Sequence, residues 1–203
     1  GMVVFWPDYS RSNPYQRLLY GQLRQRAEVV AGDIDAALKA LETEAAPAGH
    51  ITFHLHWLNA LFQGLKDEAE ARRVVDDFLT KLERFVALGG QLIWTVHNVI
   101  SHDTAFSNLE AALSGRLAAL AQGLHFHSAA SVAEAATAFA IPQHKVMISP
   151  HGNYIGAYPD YVGRAEARVQ LGIAPDDDVI LFTGQMRPYK GVEQLIRVFR
   201  RIL

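Results

Sequence analysis

No cysteine occurs among these 203 residues, which excludes disulfides and thiolate metal sites and fits a reducing compartment. A long apolar run is missing too: no stretch approaches the roughly 20 residues that a membrane helix needs. Nor is one sign of charge in excess, with 19 Lys and Arg against 21 Asp and Glu and a formal net charge of −2. That balance gives no broad electrostatic footprint for nucleic acid, so any anion site must be local. Internal repeats of the solenoid kind and low-complexity tracts are absent, and the Ala-rich SAASVAEAATAFA is helix-forming. The N-terminal GMVVFWPDY has no basic region and no small-residue cleavage site, so it reads as a first strand and not as a signal peptide. Gly1 ahead of Met2 reads as the scar of a removed tag, which makes a deliberate truncation plausible.

What is present is an ordinary globular composition, 50% hydrophobic and 20% charged, with length enough for one well-buried core plus a fragment. Short β-branched or aromatic runs alternate with longer helical patterns, the signature of an α/β protein with a Rossmann-like parallel sheet and helices on both faces. Strands are predicted at 2–6, 27–31, 51–57, 91–97, 124–128, 145–149 and 179–183. Helices are predicted near 14–26, 33–44, 68–88, 107–122, 131–140 and 163–171. Ser131 and Glu134 form a capping box, and Gly89 and Gly90 stop the helix that ends VALGG.

Six of those strands make one Rossmann-like domain over residues 1–172. After the turn-rich LGIAPDDD, residues 173–203 hold only VILFTG and one helix, as a linker and first βα unit of a second domain. That helix carries Val192, Leu195, Ile196, Phe199, Ile202 and Leu203 as an apolar stripe with no sheet of its own to cover. The exposed strand edge and the stripe need a partner, either the first domain's sheet or a second copy of the chain in a dimer.

Chemistry concentrates in three places. In GQMRPYKG, Gly184 lets backbone approach a ligand, a helix N-terminus offers free N–H groups, and Arg187 and Lys190 add fixed cations, which together suit a diphosphate. The plain alternative is a turn glycine, a Pro188 that starts a helix and two solvated cations. On chemistry alone these readings stand level.

The histidines are the second signal. In HLHW, His54 and His56 share one face of a strand while Ile51, Phe53, Leu55 and Trp57 take the other. His97 ends the fourth strand, and His125 and His127 lie on the fifth. Ligands of open α/β sheets sit beyond the carboxyl ends of strands, where His56, His97 and His127 should fall. For His50, His54, His125 and His144, structural hydrogen bonding is the preferred role. A metal-dependent hydrolase using His54, His56 and His127 is the alternative, with Asp8 as its only obvious carboxylate; it ranks below a cleft without metal.

The third place is a pair of loops. PDYSRSNPYQ follows the first strand, where Arg11, Ser12, Asn13 and Tyr15 can face a ligand at the next helix N-terminus, or simply form a solvated loop with Asn13 as N-cap. SPHGNYIGAYP, with His151, Gly152 and Asn153, is placed to line a cleft after the sixth strand. Arg17, Arg24 and Arg26 on the helix between admit peripheral contact with an anionic membrane surface, although such a face is more often simply soluble.

HLHW followed by Asn59, then TVHN at 95–98, HSAAS at 127–131, SPHGNY at 149–154 and FTGQMRPYKG at 182–191 occur in the order of a family's landmarks. With them the chain resembles the N-terminal part of a GT-B glycosyltransferase of the retaining, GT4-like group. The resemblance implies two Rossmann-like domains facing across a cleft, the first binding mainly acceptor and the second a nucleotide sugar. His97 then matches a histidine that contacts the transferred sugar, and Arg187 and Lys190 match the pair that neutralises the donor diphosphate.

It implies a UDP- or GDP-sugar as donor substrate, a sugar or lipid-linked acceptor, no separate cofactor, no metal and no nucleic-acid partner. The cleft-lining candidates are Arg11, Asn13, Tyr15, His56, Asn59, His127, His151, Gly152 and Asn153. The expected location is cytoplasmic, with peripheral contact at the inner membrane face left open as an addition to it. Two departures stand out. SRSNPY replaces a double glycine common in the family, and the paired glutamates that hold sugar and ribose further on are missing, so this chain alone is expected not to catalyse transfer. A non-catalytic nucleotide-binding module is the third reading.

Overall fold

The computed structural model describes residues 1–43, 51–100, 104–184 and 186–201. They cluster into two compact units, Gly1–Tyr154 and Ile155–Leu203.

The first unit is built on β1 (Met2–Trp6), β2 (Glu28–Ala31), β3 (Ile51–Leu55), β4 (Gln91–Thr95), β5 (Gly123–Phe126) and β6 (Val146–Ile148). These form one sheet in the order β2-β1-β3-β4-β5-β6, with every pair parallel. The direction of winding reverses between β1 and β3, the switch point at which open α/β sheets leave a crevice. The Rossmann-like α/β expectation therefore holds.

Helix positions follow from sequence spacing. In α3 (Glu68–Ala87), Ala71, Val75, Phe78, Leu79, Leu82 and Phe85 recur at helical spacing and are buried. They join α2 (Ile34–Glu42), α4 (Ser107–Leu120) and the buried strand residues Phe53, Leu55, Leu92, Trp94, Leu124 and Phe126 in the main core. The opposite face of the sheet meets α1 (Tyr15–Gly21), where Tyr20 packs on Phe5 and Val29 as a separate small cluster. At the end of α3, Gly89 adopts φ of 92°, which ends the helix as expected.

Several boundaries differ from the expectation. Strands β3 and β4 stop at Leu55 and Thr95, so His56, Trp57, Val96 and His97 lie past their ends. Helix α5 spans Ala129–Ala135, and its cap is not Ser131: the Ser128 side chain accepts from the Ser131 backbone N–H at 3.1 Å. Of the two serines, the one nearer the strand end occupies the cap, because the chain turns into the helix soon after β5.

In the second unit, α6 (Arg164–Leu171) ends at Gly172 with φ of 68°, and α7 (Val192–Phe199) follows a short 3-10 turn at Pro188–Lys190. The strand expected at 179–183 does not form. A lone extended segment has no neighbour to hydrogen-bond with, and Val179, Ile180 and Leu181 are exposed. Leu195, Ile196 and Phe199 are exposed on α7; Ile202 and Leu203 lie outside the described residues, as do His50 and Gln185.

Candidate functional site

Beyond the carboxyl ends of β3, β4 and β5, imidazoles gather around Tyr15. The Tyr15 ring centroid lies 4.9 Å from that of His97, 5.5 Å from His127, 5.1 Å from His151 and 6.0 Å from His56. The expectation that His56, His97 and His127 converge there is what parallel strands in register produce. Tyr15 reaches the group because Asn13 turns the chain into α1, its Oδ1 accepting from the Tyr15 backbone N–H at 3.0 Å. The same oxygen accepts from the Tyr154 hydroxyl at 2.9 Å, tying the loop after β6 to the loop after β1.

The Tyr15 hydroxyl lies 3.2 Å from His127 Nε2, while His127 Nδ1 lies 3.1 Å from the Ser149 carbonyl. A carbonyl only accepts, so Nδ1 carries the proton and Nε2 accepts from Tyr15. His97 stacks on Trp57 with centroids 3.9 Å apart and an interplanar angle of 12°. Trp57 is thus not on the apolar face assigned from strand alternation. The alternation lapses once β3 ends at Leu55 and the chain turns into the 3-10 segment Leu58–Phe62.

Beneath this surface group runs a continuous hydrogen-bonded chain. His97 Nε2 lies 3.0 Å from His56 Nδ1, and His56 Nε2 lies 2.7 Å from the Tyr20 hydroxyl. Tyr20 is also 2.7 Å from His54 Nδ1, whose Nε2 lies 2.8 Å from Thr95 Oγ1, itself 3.0 Å from His125 Nδ1. Tyr20, His56 and Thr95 are fully buried. His54 and His125 do have the hydrogen-bonding role expected of them. Tyr20 and Thr95 are not singled out by sequence reasoning, because a single tyrosine on a helix and a threonine in a strand carry no signal by type alone.

Burial dominates the electrostatics. It holds the His54 imidazole down at about 3, with His125 adding to the effect, and pushes His56 down as well. His97 is lowered to about 3 by burial and then by His127. His125 is lowered by burial and His127, partly opposed by the Ser149 backbone. The Tyr15 phenol is pushed up to about 12 by burial, partly opposed by Thr95, and burial raises Tyr20 also. His54, His56 and His97 are therefore neutral near pH 7.

Two concavities adjoin the group. A cavity of about 220 Å³ is lined by Tyr15, His125, His127, Ser149, Gly152 and Tyr154, among others. A small one of about 10 Å³, room for one water, is lined by His56, Trp57, Asn59 and His97 with their neighbours. Arg11 and Asn153 are exposed and line neither. His151 is exposed, with Nδ1 2.7 Å from the Gly152 carbonyl.

For a metal, the arrangement is poorly suited. Both ring nitrogens of His54, His56 and His127 already bond within the protein, and the exposed Asp8 accepts from the Ser10 backbone at 2.9 Å. Among the described residues no group of three or more His, Asp or Glu is placed to hold an ion.

In the second unit, Gly184 has φ of 119°, a conformation that favours glycine. Arg187 lines a concavity of about 510 Å³ with Pro188, Gly191 and the first turn of α7. Lys190 sits with Nζ 5.0 Å from the Tyr189 ring centroid and is not part of that lining.

Comparison with known proteins gives a partial likeness. No family model matches the chain. Over 59 residues it is 34% identical to a D-inositol 3-phosphate glycosyltransferase of Kineococcus radiotolerans, a segment that is 29% of this chain and 14% of that protein. No described helix is long and apolar enough to cross a membrane.

Proposed function

We propose that this chain is the acceptor-side part of a retaining glycosyltransferase of the GT-B type, which takes the sugar of a UDP- or GDP-sugar and passes it to a hydroxyl of a sugar or lipid-linked acceptor. The observation that carries the reading is His97: a neutral imidazole past the end of β4, clamped flat against Trp57 and edge-on to Tyr15, beside the switch point of a parallel sheet. A neutral imidazole hydrogen-bonds a sugar hydroxyl without adding charge, and the Trp57 stack fixes its direction. The partial likeness to a named glycosyltransferase supports the same class.

In this reading Gly184, Arg187 and Lys190 serve the donor diphosphate. Negative charge grows on a departing nucleoside diphosphate, and cations held in place beforehand stabilise it without reorganisation. Asn13, Tyr15, His56, Asn59, His127, His151 and Gly152 form the acceptor side, with Arg11 and Asn153 at its rim.

The test is release of UDP or GDP from UDP- and GDP-sugars by the protein expressed from its whole gene. Arg187→Ala and Lys190→Ala together, and His97→Ala alone, are each expected to lower the rate by about 100-fold or more. Absence of nucleoside diphosphate release from every donor, or full activity in the double variant, overturns the reading.

A further inference from the structure

The chain from His97 to His125 leaves almost no freedom in where its protons sit. Each imidazole in it is neutral, so each carries one N–H and one bare nitrogen. Tyr20 is buried between His54 and His56, and a buried hydroxyl proton left without an acceptor is costly, so the phenol donates to one imidazole and accepts from the other. Thr95, buried between His54 and His125, is bound by the same rule.

If Tyr20 donates to His54 Nδ1, the His54 proton is on Nε2 and goes to Thr95, which donates to His125 Nδ1 and leaves the His125 proton on Nε2. On the other side Tyr20 accepts from His56 Nε2, so His56 Nδ1 is bare and accepts from His97 Nε2. The opposite choice at Tyr20 reverses every bond and puts all four protons on Nδ1.

We propose that His54, His56, His97 and His125, joined through Tyr20 and Thr95, form one relay with two registers, in which all four imidazoles carry their proton on the same ring nitrogen. Tyr20, His54 and Thr95 are then positioning residues: they decide whether His97 meets a ligand as an acceptor or as a donor. His97 Nδ1 makes no hydrogen bond among the described residues, and it is the end of the relay offered to a ligand.

Passage between registers balances as a proton wire. A proton arriving at His97 Nδ1 displaces the Nε2 proton onto His56, and the shift continues through Tyr20, His54 and Thr95 until the Nε2 proton of His125 leaves. His97 and His125 line different cavities, so the relay links the small cavity beside Trp57 to the larger one beside Tyr15 with no net charge left in the core. His127 stands outside it, its proton pinned on Nδ1 by the Ser149 carbonyl.

The experiment is a long-range proton–nitrogen NMR spectrum of the histidine-labelled protein near pH 7, which reads each tautomer directly and needs no sugar. Its outcome is therefore separate from the glycosyl-transfer reading. One common tautomer for His54, His56, His97 and His125, on either nitrogen, supports the relay; a mixed set overturns it. Tyr20→Phe provides the second arm. Without the phenol oxygen, an N–H aimed at the ring edge would be orphaned, and bare acceptors are tolerated better than orphaned donors. His54 and His125 are then expected on Nε2, and His56 and His97 on Nδ1. A uniform set in the variant means that Tyr20 does not transmit the register, and overturns the proposal.

Discussion

At the scale of single residues, the buried imidazoles make stability depend on pH. His54, His56 and His97 lie below the ordinary imidazole value of 6.5, two of them at about 3, because burial disfavours their charged form. Tyr20, Thr95, His125, His127 and His151 surround them, and the buried Glu110 lines the small cavity that His56 and His97 share. The unfolded chain therefore binds protons below pH about 6.5 that the folded chain refuses. Stability is full above that value and falls as the pH drops toward about 3, at up to about 1.4 kcal/mol per pH unit for each imidazole so held. The urea midpoint is expected to be clearly lower at pH 5 than at pH 7; equal midpoints would mean that these histidines are charged or solvated in the fold. His56, His97 and His127 are legible in sequence because the carboxyl-end rule holds just past a strand tip, where all three lie. Trp57 is not, since it lies past Leu55, where alternation ceases to mean anything, and its stacking partner is 40 positions away in the chain.

At the scale of elements, the order of strands and helices in the first unit can be read from hydrophobic period alone, and what cannot is where each one starts. Helix α5 shows why. SAAS places serines at 128 and 131, and both positions suit a cap followed by a helical run. The choice falls to Ser128 because β5 delivers the chain to that point in extended conformation, with φ of −159° and ψ of 160°, leaving Ser128 Oγ to accept from the Ser131 N–H. Ser131 contributes only its own hydroxyl, 2.8 Å from that of Ser128. Ser128→Ala is expected to destabilise the protein by about 1 kcal/mol, a typical loss for an N-cap, and Ser131→Ala by clearly less. Thermal or urea unfolding of the two variants side by side decides it, and the reverse order would return the cap to Ser131. The strand expected at 179–183 fails for a different reason: its residues have the right composition, but β-structure is a property of pairs, and composition cannot say whether a neighbour exists.

At the scale of the whole molecule, the two units differ in kind. Among the described residues, every buried residue of the core, from Val4 to Phe139, lies in 1–154, with a sheet whose interior strands are hydrogen-bonded on both sides. No described residue from 155 to 201 is buried; Val179, Ile180, Leu181, Leu195, Ile196, Val198 and Phe199 all present apolar surface to solvent. Burial of apolar area is what offsets the roughly 1–2 kcal/mol of backbone entropy lost per ordered residue, so the second unit has little of its own to hold it. In hydrogen–deuterium exchange of the intact chain, the amides of β3 and β4 are expected to exchange at the rate of global unfolding, and those of α6 and α7 orders of magnitude faster. The apolar face of α7 adds a condition. If a second copy of the chain covers it, exchange in 192–199 slows as protein concentration rises, while β3 and β4 do not change. Protection of 192–199 equal to that of β3, at every concentration, would show that the second unit is stabilised by contacts within the monomer and that its apolar stripe is already satisfied.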